Sequence, residues 1–178
     1  MPIDTESKDG GIDADAMYEN MMHKFRYGNI SDPKVYLDEN TMRMCRTSRM
    51  MFSQLVNALV EEGDFERAEK ALDYSLEVIP PTTVSHDYSS SSLAVAYYKL
   101  DKAEKANEIL HTIAQDCVDN LNWYFNLKPA QLNSVENRVG YNFGVLNHVL
   151  SLAEDYGQQS FIEDYMEEYQ KFVKRIRM

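Results

Sequence analysis

Between Phe52 and Pro80 apolar side chains recur at three- and four-residue steps, the period of a helix with one buried face. Phe52, Leu55, Val56, Leu59 and Val60 form one stripe, and Phe65, Ala68, Ala71, Leu72, Leu76 and Ile79 form a second. Gly63, between them, supplies the backbone freedom that a helix C-terminus needs. Asp64 can cap the next helix by accepting from its free N–H groups. Pro80 and Pro81 cannot continue the helical hydrogen-bond ladder. The pattern predicts two antiparallel helices that approach closely at the small Ala68, with Leu72 filling the gap one turn later. A single hairpin leaves its outer faces bare, so it needs neighbours.

The same spacing returns 38 residues on, where Leu93, Ala94, Tyr97, Asp101, Ala106 and Leu110 match Leu55, Val56, Leu59, Gly63, Ala68 and Leu72. Asp101 with Glu104 reads as a capping-box-like start. Two copies in one register separate a helical repeat from an ordinary bundle. The helix from Lys102 is expected to run through Cys117, Leu121 and Trp123 until Pro129 ends it, with residues 130–134 as a connection. Val135, Val139, Phe143, Leu146, Val149, Leu150 and Ala153 mark a third long helix, closed by Gly157. Ile162, Tyr165, Met166, Tyr169, Phe172, Val173 and Ile176 stripe the last one.

Ahead of the hairpins, residues 1–12 read as a disordered lead-in and residues 13–27 as a helix capped by Asp13 or Asp15. Met17, Tyr18, Met21, Met22 and Phe25 share a face there, which reads as packing on the first hairpin before it reads as an adaptable groove. Gly28 to Pro33 is a turn cluster, and Val35-Tyr36-Leu37 a short docking segment. Asp38 or Asn40 begins the helix that runs into the central hairpin. The fold class expected is all-α: an α-α superhelix of about three hairpins over residues 41–178, with an N-terminal helix and docking segment over 13–40.

The central spacing resembles the tetratricopeptide repeat, through Phe52, Leu55, Val56, Leu59, Ala68, Leu72 and Pro80. Phe for Trp, Val for Gly and Leu for Tyr depart from that pattern, and Tyr97 restores the aromatic in the second copy. The run NMMHKFRYGNISDPKVYLDENTMRM, from Asn20 to Met44, resembles a second family. These are Bacteroidetes multi-spanning membrane proteins, glycosyltransferases related to protein O-mannosyltransferases, whose soluble C-terminal region carries tetratricopeptide-like helices. The resemblance covers Asn20 to about Tyr156, with Lys24–Arg43 its most distinctive part. It implies the soluble tail of such a protein, on the periplasmic side of the inner membrane. The half that would perform sugar transfer has no counterpart here, so no catalytic residue carries over.

Composition narrows the function classes. A net charge of −11 makes nucleic acid and anionic membrane surfaces poor partners. No stretch is apolar for long enough to suggest a membrane span. Cys45 and Cys117, 72 residues apart, permit one disulfide, but the free, buried reading is preferred. His23, His86, His111 and His148 fall in four segments without metal-ligand spacing, and phosphate loops and nucleophile elbows are absent. Neighbouring carboxylates such as Glu167-Glu168 read as a solvated helix face. No cofactor, metal or catalytic residue is expected. Lys171, Lys174, Arg175 and Arg177 complement the last helix dipole.

The expected function is a non-catalytic scaffold that binds a protein or peptide on the first helices of its hairpins. Arg46, Arg49, Asn57, Lys99 and Asn142 are the candidate surface contacts. The alternative is an accessory region for a glycan or acceptor protein, with the aromatic run Trp123, Tyr124 and Phe125 as its platform.

Overall fold

A computed structural model describes residues 11–176. The expected lead-in falls almost wholly outside them, as does Arg177. Among the described residues the fold is all-α, with eight α-helices and no strand element. They are α1 (Ala14–Glu19), α2 (Glu39–Glu61), α3 (Phe65–Val78), α4 (Ser91–Lys99), α5 (Ala103–Phe125), α6 (Pro129–Ser134), α7 (Glu136–Asp155) and α8 (Gln159–Ile176). Two compact units divide within α5, between Ala106 and Asn107.

In the first unit α2 and α3 form the central hairpin. Phe52, Leu55, Val56, Leu59, Ala68, Ala71, Leu72 and Ile79 are fully buried, so each stripe faces the other helix. Burying each of the large members contributes about 1.5–3 kcal/mol. Phe65 departs from its expected place: as the first residue of α3 it is more than half exposed, because the opening turn of that helix lies beyond the packed stripe. Asp38 caps α2 through the Thr41 amide at 2.7 Å, and Asp64 caps α3 through the Arg67 amide at 3.0 Å.

Three turns share one hydrogen-bond pattern. The residues at positive φ in these turns are Gly63 (81°), Asp101 (59°) and Gly157 (68°). In the first turn Asp64 N–H donates to Leu59 at 2.8 Å and Gly63 N–H to Val60 at 3.1 Å. In the second Lys102 donates to Tyr97 at 2.9 Å and Asp101 to Tyr98 at 3.0 Å. In the third Gln158 donates to Ala153 at 2.7 Å and Gly157 to Glu154 at 3.0 Å. Each is a helix stop of the Schellman kind, which satisfies the last carbonyls before the chain reverses. Asp101 therefore stands where Gly63 stands and is not the capping residue. The first helical bond of α5 runs from Ala106 to Lys102, one residue later.

The N-terminal stretch is shorter than its pattern suggested. After α1 the backbone widens into a π turn at Asn20–Lys24 and leaves the helix at Phe25, whose ψ is 147°. Met17 and Met21 are buried, but Phe25 is exposed. Tyr27 anchors the segment instead, 5.9 Å from the Phe52 ring and 6.0 Å from that of Tyr74, with its hydroxyl on the Met21 carbonyl at 3.1 Å.

In the second unit, the 107–125 part of α5 packs with α7 and α8. Ile109, Leu110, Ile113, Ala114 and Leu121 are buried along it, with Leu146, Val149 and Ala153 from α7 and Phe161 and Phe172 from α8. The His111 and Phe161 rings lie 4.6 Å apart, and Phe125 stacks on Phe172 at 5.9 Å. The expected connection over 130–134 is in fact α6. Pro129 occupies its first turn, where a missing N–H and a fixed φ favour a helix start, so it opens a new helix as well as following the old one.

Candidate partner-binding face

The first helices of the first two hairpins, α2 and α4, pack directly on each other. Side chains bridge them at three levels. Arg46 Nε lies 2.8 Å from Asp87 Oδ2, just ahead of α4. Ser92 donates to Ser53 at 3.0 Å, and Lys99 Nζ donates to Asn57 Oδ1 at 2.9 Å. Met50, Gln54 and Lys99 are exposed along the same pair of helices. Of the candidate contacts, Arg46, Asn57 and Lys99 thus come together on one face.

Arg49 is not a surface contact. It is fully buried and faces the linker between α3 and α4. Its guanidinium donates to the carbonyls of Ile79 at 2.8 Å and Ser85 at 3.1 Å, and also to that of Val84. The cause is visible in the spacing: Arg49 lies on the stripe of Cys45, Phe52 and Val56, and that stripe turns inward. Burial pulls its pKa down to about 10, with the nearby Asp87 carboxylate opposing, so it remains cationic near neutral pH. An irregular linker has carbonyls that no helix satisfies, and a planar five-donor cation suits them. Arg49 thereby ties residues 79–85 to α2.

Asn142 is buried as well. Its amide donates to the Arg138 carbonyl at 2.8 Å, and its oxygen accepts from Asn120 at 3.2 Å, which commits it to joining α7 to α5. The aromatic run splits in two. Trp123 is 59% exposed while Tyr124 is buried edge-on against it, ring centroids 5.2 Å apart, and Phe125 turns toward Phe172. One indole face remains in place of a three-ring platform.

Pattern reading missed His86. It is buried beside Arg49, its Nδ1 meets no hydrogen-bond partner, and burial with that neighbouring charge pulls its pKa down to about 4. Cys45 and Cys117 are both free and buried, and desolvation raises both thiols, Cys117 to about 12. Raised thiols and an imidazole that burial holds neutral are poor nucleophiles and proton carriers. Among the described residues no group of three or more His, Cys, Asp or Glu is placed to hold a metal ion. No helix there is long and apolar enough to cross a membrane.

No family model, curated protein or solved structure matches this chain.

Proposed function

We propose that this chain is a tetratricopeptide-like interaction module that receives a protein or peptide on the α2–α4 face and supplies no reaction of its own. The observation that carries this reading is the direct packing of α2 on α4, which sets the first helices of successive hairpins side by side as one continuous surface. The shared turn geometry supports it, because the helices before Gly63, Asp101 and Gly157 all stop through the same hydrogen-bond pattern. A photo-crosslinking residue placed at Gln54 or at Lys99 tests the proposal in extract of the source cells. The same adduct should form from both positions and not from the exposed Glu77 on α3. Adducts that form equally from all three positions, or from none, refute it.

A second reading rests on the resemblance of Asn20–Met44 to the soluble region of membrane glycosyltransferases. In it the module holds a glycan or acceptor protein beside the sugar-transferring half, on the periplasmic side of the inner membrane. The exposed indole of Trp123 favours it, since sugar rings stack on such faces. Trp123 is the sole tryptophan, so its fluorescence reports directly on titration with mannose-containing oligosaccharides. A saturable spectral shift is expected, and a flat titration removes the reading.

A further inference from the structure

Charge is distributed unevenly along this acidic chain. Between Asn20 and Met50 lie Lys24, Arg26, Lys34, Arg43, Arg46 and Arg49, opposed by Asp32, Asp38 and Glu39 alone. The remainder of the sequence is correspondingly more acidic than its overall charge of −11 suggests. Arg49 is buried and Arg46 is engaged with Asp87, so the cations of this stretch that can meet a partner at the cleft are Lys24 and Arg26.

The same stretch holds a cleft of about 490 Å³ between the π turn and the first half of α2. Phe25, Ile30, Met44 and Cys45 give it an apolar lining, and Lys24 and Arg26 stand at its edge. Cys45 and Ile30 also belong to a packed cluster, but Phe25, Met44 and the two cations stay exposed. Met44 is 69% exposed and Phe25 is nearly half exposed. Lys24 reaches Glu19 only at 3.8 Å, and Arg26 forms no ion pair with any described residue. By contrast Arg46 is engaged with Asp87, and Arg67 with both Asp15 and Asp64. Leu37 packs into the Cys45 cluster together with Tyr27 and Ile30, which brings the exposed Val35 and Tyr36 alongside. Tyr36 is 90% exposed.

We infer that this cleft docks a short acidic peptide carrying an aliphatic or aromatic anchor. The anchor seats on Phe25, Ile30 and the Met44 thioether, a flexible lining suited to side chains of varied shape. Carboxylates on either side of it meet Lys24 and Arg26. Two cations beside an apolar lining fit a ligand that carries both carboxylates and an apolar side chain, and the exposed Val35 and Tyr36, next to Leu37 of the same cluster, offer further apolar contact to a peptide. The site is separate from the α2–α4 face, and the two stand or fall independently.

The experiment pans a library of random octapeptides displayed on phage against the full chain, then measures enriched sequences by fluorescence polarisation. Enrichment of sequences that place two or more Asp or Glu around Leu, Ile or Phe is expected. Their affinity should fall by about tenfold or more in Arg26→Glu and in Met44→Glu, and should weaken with added salt. Both positions are exposed, so the circular dichroism and melting of the variants should match wild type. Lys99→Glu, on the other face, should leave binding unchanged. The proposal is overturned if no sequence is enriched or the enriched ones are basic. It is equally overturned if Arg26→Glu binds as wild type, or if a simple fatty carboxylate such as dodecanoate binds while the peptides do not.

Discussion

Replacing Arg49 by Met removes the guanidinium while keeping an unbranched side chain of similar reach. Three carbonyls then lose their donor, those of Ile79 and Val84 in fully buried positions and that of Ser85 at the edge of solvent. A buried acceptor left unpaired costs about 1–3 kcal/mol, so the two fully buried carbonyls lose roughly 2–6 kcal/mol together and the one at the edge of solvent adds less. Against this stands relief from burying a cation whose nearest carboxylate, Asp87, is shared with Arg46. Such relief reaches about 1–4 kcal/mol where a buried charge gives way to a well-packed apolar group. The structure favours the loss, because a linker with three unpaired carbonyls cannot repack as a regular core would. A net destabilisation of about 2–3 kcal/mol is expected. For a chain of this size that lowers the melting temperature by roughly 4–12 °C. Urea and thermal unfolding followed by circular dichroism measure it. Hydrogen exchange should quicken first in residues 79–90. Arg49→Lys should recover only part of the loss, since an ammonium cannot span carbonyls that approach a planar fork from different sides. A Met variant as stable as wild type refutes the reasoning, and would make Arg49 a tolerated burden instead of a staple.

Three further outcomes follow from other positions. His86 has its folded pKa pulled from 6.5 to about 4, so stability present above 6.5 is lost as pH falls toward 4; the loss attributable to it is roughly 3 kcal/mol at most. Urea midpoints of wild type and His86→Gln measured between pH 7 and 4 should diverge, with the variant less acid-sensitive, and parallel slopes would count against that assignment. Both thiols should resist an aromatic disulfide reagent at pH 8 in the native protein and react together in denaturant, whereas rapid native labelling of either contradicts its burial. Asp101→Gly should raise stability by about 0.5–1 kcal/mol, because Asp101 is the one non-glycine residue with positive φ among those described, and an unchanged or lower melting temperature overturns the assignment of that turn.

The hairpins were legible because their signals are local. Small residues at Ala68 and Ala106, stops at Gly63 and Gly157 and the cap at Asp64 each act within one or two turns of chain. The same reading placed Asp101 as a cap because its side chain suits one. The turn instead requires a left-handed residue there, and registration against Gly63 was the better guide. Arg49 and Asn142 were misplaced for a common reason. Polarity suggested surface, yet each lies on an inward stripe, Arg49 with Cys45, Phe52 and Val56, and Asn142 with Val139, Leu146 and Val149. Position on the stripe outweighs residue type whenever irregular backbone or a second polar group waits inside. The serine-rich linker after Pro81 was the clue for Arg49, since backbone that forms no helix must find donors elsewhere.

The two exposed faces differ in what binding would require. On α2–α4 Lys99 is hydrogen-bonded to Asn57 and Arg46 is ion-paired with Asp87, so a partner that engages them must exchange these contacts for its own. Such exchange adds little net energy per bond and makes specificity depend on shape. At the N-terminal cleft Arg26 has no ion pair with any described residue to surrender, and Lys24 holds only a long one. Charge there attracts before contact, so association should be faster at low salt, and the apolar lining should then govern how long a peptide stays. Measured on-rates that respond steeply to salt for cleft ligands, and weakly for partners of the α2–α4 face, are the kinetic consequence of this difference. Equal salt dependence at both would place the attraction elsewhere on the chain.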